Sequence, residues 1–320
     1  DISLGNLTYF NRINERSAFA VSLRYFSLGE IEIVQDEFSE ALIEQPNEMT
    51  MDISYSLRLA DQFSMGVALR YLRSDLKIGA VDPDAKAASS YAVDISAYFQ
   101  SEEQNYGDID GRWRGGMIIQ NLGPKIKYDE SGDDTFLPTN LRLGGGFDFL
   151  LDQYNKVSLT AEITKLLVPT PPIMGREYNF TDINGNGIYD EGIDELGELT
   201  SSDYVIYQGQ DNQDVNFLSG VFQSFSDAPG GFSEELKEFT WALGAEYVYD
   251  DSFALRAGYF NESEDKGARK FLAFGAGFKF SGTKVDLSYL FSASKVPSPL
   301  ENTLRFSLTF DFGSNTYLEY

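Results

Sequence analysis

Alternation of apolar with polar or small residues runs the length of the chain and limits its fold more than any other feature. Met51, Ile53, Tyr55, Leu57 and Leu59 interleave with Asp52, Ser54, Ser56 and Arg58. Far downstream, Leu304, Phe306, Leu308, Phe310 and Phe312 interleave with Thr303, Arg305, Ser307, Thr309 and Asp311. Strand side chains point to opposite faces with period two, so each segment has one apolar face and one wet face. Each run is about the ten residues that a tilted strand needs to cross the hydrocarbon of a bilayer. The pattern predicts an all-β fold, a transmembrane antiparallel β-barrel of the outer membrane. The mean hydropathy of −0.28 does not oppose this, because alternation hides the apolar band in the average.

Composition narrows the chemistry. Fifty acidic residues against 25 basic ones give a formal charge of −25, so no nucleic acid is expected as a partner. The chain has no cysteine and no histidine, which removes thiolate chemistry, disulfides, the usual general base and the commonest zinc ligand. Catalysis would have to rest on carboxylates, Ser, Lys or Tyr, and no nucleophile motif accompanies them; the chain is read as a non-enzyme.

Strands are expected at Ile2–Phe10, Ser17–Val34, Met49–Leu59, Phe63–Ile78, Tyr91–Ser101, Gly111–Asn121, Thr139–Leu150 and Lys156–Lys165. A long interruption follows, then Glu238–Tyr249, Phe253–Phe260, Arg269–Phe280, Lys284–Ala293 and Asn302–Phe312, thirteen in all. The connections alternate short and long. Bacterial outer-membrane barrels have this asymmetry, with tight periplasmic turns and longer extracellular loops, whereas a soluble sandwich has no reason to sort loops by parity. The first and last strands both descend toward the periplasm. An even barrel then has fourteen strands, and the ascending partner is expected upstream of Asp1.

Several stretches carry a family resemblance. Ser3-Leu4-Gly5-Asn6-Leu7-Thr8-Tyr9, Leu23-Arg24-Tyr25-Phe26-Ser27-Leu28-Gly29-Glu30-Ile31 and Asn121-Leu122-Gly123-Pro124-Lys125-Ile126-Lys127-Tyr128-Asp129 resemble the PorV (LptO) family of the Bacteroidetes type IX secretion system. Phe136-Leu137-Pro138-Thr139-Asn140-Leu141, Leu166-Leu167-Val168-Pro169-Thr170-Pro171-Pro172 and Asp227-Ala228-Pro229-Gly230-Gly231-Phe232 extend the likeness along the chain. The resemblance implies a FadL-like barrel of fourteen strands in the outer membrane, surrounded by lipid and lipopolysaccharide. It implies a role in binding the C-terminal signal domain of exported cargo, docking with an SprA-type translocon and delivery to a PorU-type sortase and attachment complex. A FadL-like channel for hydrophobic small molecules is the alternative, supported by the fold class and not by these motifs.

The interruption at residues 166–237 is an extracellular insertion on this reading, and loops this long are usually functional or disordered. Asp182, Asn184, Asn186 and Asp190, with Gly187 and the carbonyl of Ile188, follow the register of a calcium loop, in which alternate oxygens converge on one hard cation. The twelfth position is Ile193 rather than the bidentate Glu, so a solvated acidic turn is the competing reading. No cofactor is required by the reading; a calcium ion is the candidate. Leu218, Val221, Phe222 and Phe225 fall at i, i+3, i+4 and i+7, one stripe of a short helix that Asp214 or Asn216 could cap. The stripe either folds down as a lid or offers a docking surface to a partner. On the wet faces, Asp52, Arg58, Arg70, Asp94, Arg142, Asp148, Glu162, Glu246, Arg256 and Arg305 form either a mutually paired polar lining or a selectivity ring.

Overall fold

The computed structural model describes residues 2–34, 42–76, 86–128, 134–181, 183, 195–211, 215–294 and 301–312. The chain divides into two compact units, residues 1–167 with 237–320, and residues 168–236.

The first unit is a sheet. Its strands are β1 (Ser3–Arg12), β2 (Ser17–Ser27), β5 (Asn47–Ala60), β6 (Phe63–Asp75), β7 (Ala88–Gln100), β9 (Asp110–Leu122), β10 (Asn140–Leu150) and β11 (Asn155–Leu166). They continue as β14 (Phe239–Tyr249), β15 (Phe253–Asn261), β16 (Lys270–Phe280), β17 (Thr283–Ser292) and β18 (Thr303–Phe310). These thirteen pair antiparallel in chain order, and the two-residue β8 (Gln104–Asn105) adds to β9 to make a fourteen-stranded sheet. Two short strands, β3 (Ile31–Ile33) and β4 (Leu42–Glu44), pair separately. The thirteen expected strands are therefore present in the expected order, with one correction. The run Ser17–Val34 is broken at Ser27, because Gly29 at φ 81° turns the chain into the β3–β4 hairpin.

Register decides which face meets which solvent. Val21, Ile53, Leu69 and Val93 lie in one row across β2, β5, β6 and β7. Ile53 is 55% exposed and Leu69 62%, whereas Asp52 beside Ile53 is 8% exposed and Asp94 6%. A soluble sheet shows the opposite order. An exposed apolar row backed by sheltered carboxylates fits lipid outside and a polar lining inside. An exposed apolar row also runs along β18, where Leu304, Phe306, Leu308 and Phe310 are all exposed. Connections at one end are short, residues 13–16, 61–62, 151–154, 250–252 and 281–282, with residues 101–109 the longer exception there; the other connections lie at the opposite end. No helix among the described residues is long and apolar enough to cross a membrane.

The second unit contains an antiparallel hairpin of β12 (Ile173–Thr181) and β13 (Glu195–Gln208), then α1 (Phe217–Gln223) and α2 (Phe232–Lys237), whose last residue belongs to the sheet unit. The hairpin has three register shifts, which is why its sequence shows no clean alternation.

Candidate functional site

The polar face gathers its charges into constellations rather than a ring. Arg70 on β6 donates Nε to Asp52 Oδ1 at 2.5 Å and Nη2 to Asp94 Oδ2 at 3.0 Å, reaching both neighbouring strands. It also donates Nη1 to the side-chain oxygen of Asn121, whose φ of 59° bulges the end of β9. The Asn121 backbone N–H then donates to Asp94 Oδ1 at 2.8 Å. A planar fork with several donors suits this multi-strand span, which a lysine could not reproduce. Asp148 receives Arg112 at 2.9 Å and Arg114 at 2.7 Å. Glu246 and Asp286 receive Arg256 at 2.5 and 2.7 Å. Gly277 stands between Arg256 and Asp286; a Cβ there would lie 2.5 Å from Asp286 Oδ1 and 2.9 Å from Arg256 Nη1, so glycine leaves the crossing open. Of the ten charges expected on this face, Asp52, Arg70 and Asp94 meet, as do Glu246 and Arg256, and Asp148 is held by arginines outside that set. Arg58, Arg142, Glu162 and Arg305 form no ion pair among the described residues.

A loop covers part of this polar face. Residues 123–128 and 134–139 bring Ile126 and Leu137 against Ala88 and Ala92 of β7, with Leu72 and Tyr128 beside them, a buried apolar cluster of the sheet unit among the described residues. The Tyr128 hydroxyl donates to Ser74 Oγ at 3.2 Å, and Thr139 Oγ1 donates to the Asn121 carbonyl at 2.7 Å. At Gly123 a Cβ would sit 2.2 Å from the Tyr91 carbonyl oxygen, so only glycine lets the loop enter. Sequence reasoning missed this packing because small residues on the wet face of β7 carry no signal of a partner.

In the second unit, Asn216 caps α1 by accepting from the Ser219 N–H at 3.0 Å, as its position predicts. The helix stops at Gln223, two residues short of the end of the stripe, so Phe225 lies beyond it. Ser224 is buried, its hydroxyl donating to the Val221 carbonyl, and Asp227 accepts the Thr170 N–H at 3.0 Å. Glu235 on α2 accepts the Ala228 N–H at 2.9 Å. Polar groups thus hold the unit while its large apolar side chains face out: Phe222 is 75% exposed and Phe232 77%, with Leu218 and Phe225 also exposed and Val221 partly covered. The candidate calcium ligands Asp182, Asn184, Asn186, Ile188 and Asp190 lie outside the described residues.

Residues 1–173 match the family described as type IX secretion system protein PorV. The chain belongs to the PorV family. Its members are outer-membrane β-barrel components of type IX secretion, a transport role and not an enzymatic one. Among curated proteins no sequence matches. Solved structures similar to this PorV-family chain include the Pseudomonas putida toluene transporter TodX, at 9% identity and TM-score 0.45, covering 97% of this chain and 83% of that one. A Pseudomonas aeruginosa FadL homologue gives 14% identity and TM-score 0.37, covering 95% and 74%.

At the long-loop end, two residues flanking the second unit in sequence are clasped together. Lys165, 1% exposed, holds Glu238 at 2.6 Å and lies 5.2 Å from the centre of the Phe239 ring. Lys266 reaches the other oxygen of Glu238 at 3.2 Å, and Lys237 pairs with Asp265 at 2.7 Å. Nearby in sequence, Arg269 grips Glu262 through Nε and Nη2, both at 2.7 Å. Burial alone would raise the Glu262 pKa, but the hydrogen bonds and charge of Arg269 outweigh it and hold the carboxyl below the usual range. In this PorV-family chain the root of the insertion is therefore a lattice of charge-assisted bonds.

Proposed function

We propose that this chain binds the C-terminal signal domain of exported proteins, docks with an SprA-type translocon and passes cargo to a PorU-type attachment complex. The observation that carries the reading is the family match, joined to a cluster of exposed apolar side chains in residues 168–236. Leu218, Val221, Phe222 and Phe225 form the contact surface in this proposal, with Phe232 adding a second exposed ring. Exposed aromatics of this size mark interaction sites, and aromatic anchors dominate the energetics of interfaces. The Arg70 constellation and the packing of Ile126 and Leu137 on β7 support the same reading over a channel for hydrophobic molecules, because they occupy space on the polar face.

The test is the double variant Leu218→Asp/Phe222→Asp, followed by pull-down of translocon and cargo and by assay of secretion. Loss of complex formation with an intact barrel is expected. Unchanged capture and export would sink the proposal. Calcium binding by Asp182, Asn184, Asn186, Asp190 and the Ile188 carbonyl remains part of the proposal. Calorimetry on the intact protein should show calcium heat that Asp182→Ala removes.

A further inference from the structure

Residues 168–236 hold thirteen acidic residues and one basic one, Arg176. The unit therefore carries a net −12 of the chain's −25 in about a fifth of its length. One arginine cannot neutralise thirteen carboxylates, whatever bonds each of them makes. The remainder of the chain is itself negative, so it has no surplus of cations to lend. A calcium ion at the candidate loop would offset only two of these charges.

Several of the carboxylates serve the fold. Asp227, Glu234 and Glu235 accept the N–H groups of Thr170, Gly230 and Ala228 at 3.0, 2.6 and 2.9 Å. An amide donor is neutral, so these bonds satisfy the carboxylates without cancelling their charge. The apolar side chains left in water are paired by helical spacing. Leu218 and Phe222 on α1 stand four residues apart, as do Phe232 and Leu236 on α2, so each pair shares one face of its helix, and all four are exposed. A membrane anchor also shows exposed aromatics on a short helix, and charge separates the two uses. Interfacial anchors accompany such side chains with Lys and Arg, which meet anionic lipid. Here the unit has the opposite sign, and an anionic lipid surface would repel it.

We infer, resting on the function proposed above, that this exposed apolar surface binds a cationic polypeptide face, one in which lysine and arginine side chains surround an apolar centre. The apolar centre covers Leu218, Phe222, Phe232 and Leu236 and supplies most of the affinity. The surrounding cations answer the charge of the unit, speed the encounter and exclude acidic partners.

The experiment uses the full chain in detergent and three fluorescent peptides, read by anisotropy. The peptides share a core of leucine, phenylalanine, valine and leucine, flanked on both sides by lysines, by serines or by glutamates. At low ionic strength the lysine peptide should bind at least about tenfold more tightly than the serine peptide, and the glutamate peptide should not bind. The margin should narrow as salt rises. Phe222→Asp should weaken the lysine peptide about tenfold although it makes the protein more acidic, which an association elsewhere on the chain would not do. The triple variant Glu198→Gln/Asp203→Asn/Asp211→Asn should narrow the lysine-over-serine margin about threefold, with unchanged serine-peptide binding showing that the apolar surface is intact. Equal affinity for the lysine and serine peptides, a margin that salt does not narrow, or undiminished lysine-peptide binding by Phe222→Asp overturns the inference. The function proposed above fails separately, when Leu218→Asp/Phe222→Asp still captures cargo. Loss of that capture alongside equal peptide affinities removes only the cationic partner.

Discussion

A lysine at each end of the sheet shows how differently the two ends treat charge. Lys165, at the long-loop end, is 1% exposed and closed between Glu238 and the Phe239 ring. Lys279, at the short-turn end, is exposed and faces another lysine across the strand pair. A charge taken out of water is tolerable only with a partner and good geometry, so the first lysine is committed to the fold. The second is solvated and contributes little to the fold. Buried pairing at Lys165 therefore belongs to the architecture, while exposed charge at Lys279 does not.

That contrast is breakable by substitution. The largest effect should come from Glu238→Ala, which leaves Lys165 sheltered without its carboxylate; about 3–5 kcal/mol of stability should be lost in urea unfolding. Lys279→Ala in the same assay should change stability by less than about 0.5 kcal/mol. Similar losses for the two would dissolve the comparison. Next in size is Gly123→Ala. A methyl within 2.2 Å of the Tyr91 carbonyl must push residues 123–128 off β7, at about 1–3 kcal/mol, and should expose the Tyr128 ring to fluorescence quenchers. Retained stability and quenching would mean that the loop does not need its tight entry.

Much of the fold was legible because alternation and loop parity are local properties of the sequence. The strand order followed directly, and so did the polar character of one face. The partners on that face were not legible. Arg70 meets Asp52, Asp94 and Asn121 from three different strands, and no spacing rule connects positions so far apart in sequence. Arg112, Arg114 and Asp286 escaped for the same reason: a charge on a wet face looks alike whether it is paired or solvated. The β12–β13 hairpin escaped because its register shifts erase period two. In α1 the stripe runs two residues past the helix, which ends at Gln223 with Ser224 as its C-cap, so Phe225 is outside it.

Acid should separate the ends more gently. The Glu262 carboxyl has its pKa depressed in the fold, chiefly by hydrogen bonds from Arg269 working against burial. A depressed carboxyl pKa contributes stability above its unfolded value of about 4.3, lost as pH falls through the folded value. Glu262→Gln should therefore cost about 1.5–3 kcal/mol at pH 7 and flatten the decline in stability below about pH 4.5. An unchanged acid limb would remove Glu262 from the set of groups that hold the long-loop end.

The smallest expected change lies in a turn at the short end, and its sign is opposite. Asp250 and Asp251 connect β14 to β15 with φ of 49° and 47°, the left-handed pair of a tight hairpin turn. Asp250 is anchored, its N–H donating to the Tyr154 carbonyl at 2.7 Å, whereas no backbone bond from the Asp251 N–H accompanies it in the turn. Glycine adopts this conformation without a Cβ penalty, and an Asp-Gly pair is a favoured sequence for such a turn. Asp251→Gly should stabilise the protein by about 0.5–1 kcal/mol in urea unfolding while leaving secretion unchanged. A loss of secretion without loss of stability would show that the Asp251 carboxylate serves an interaction and not only the turn.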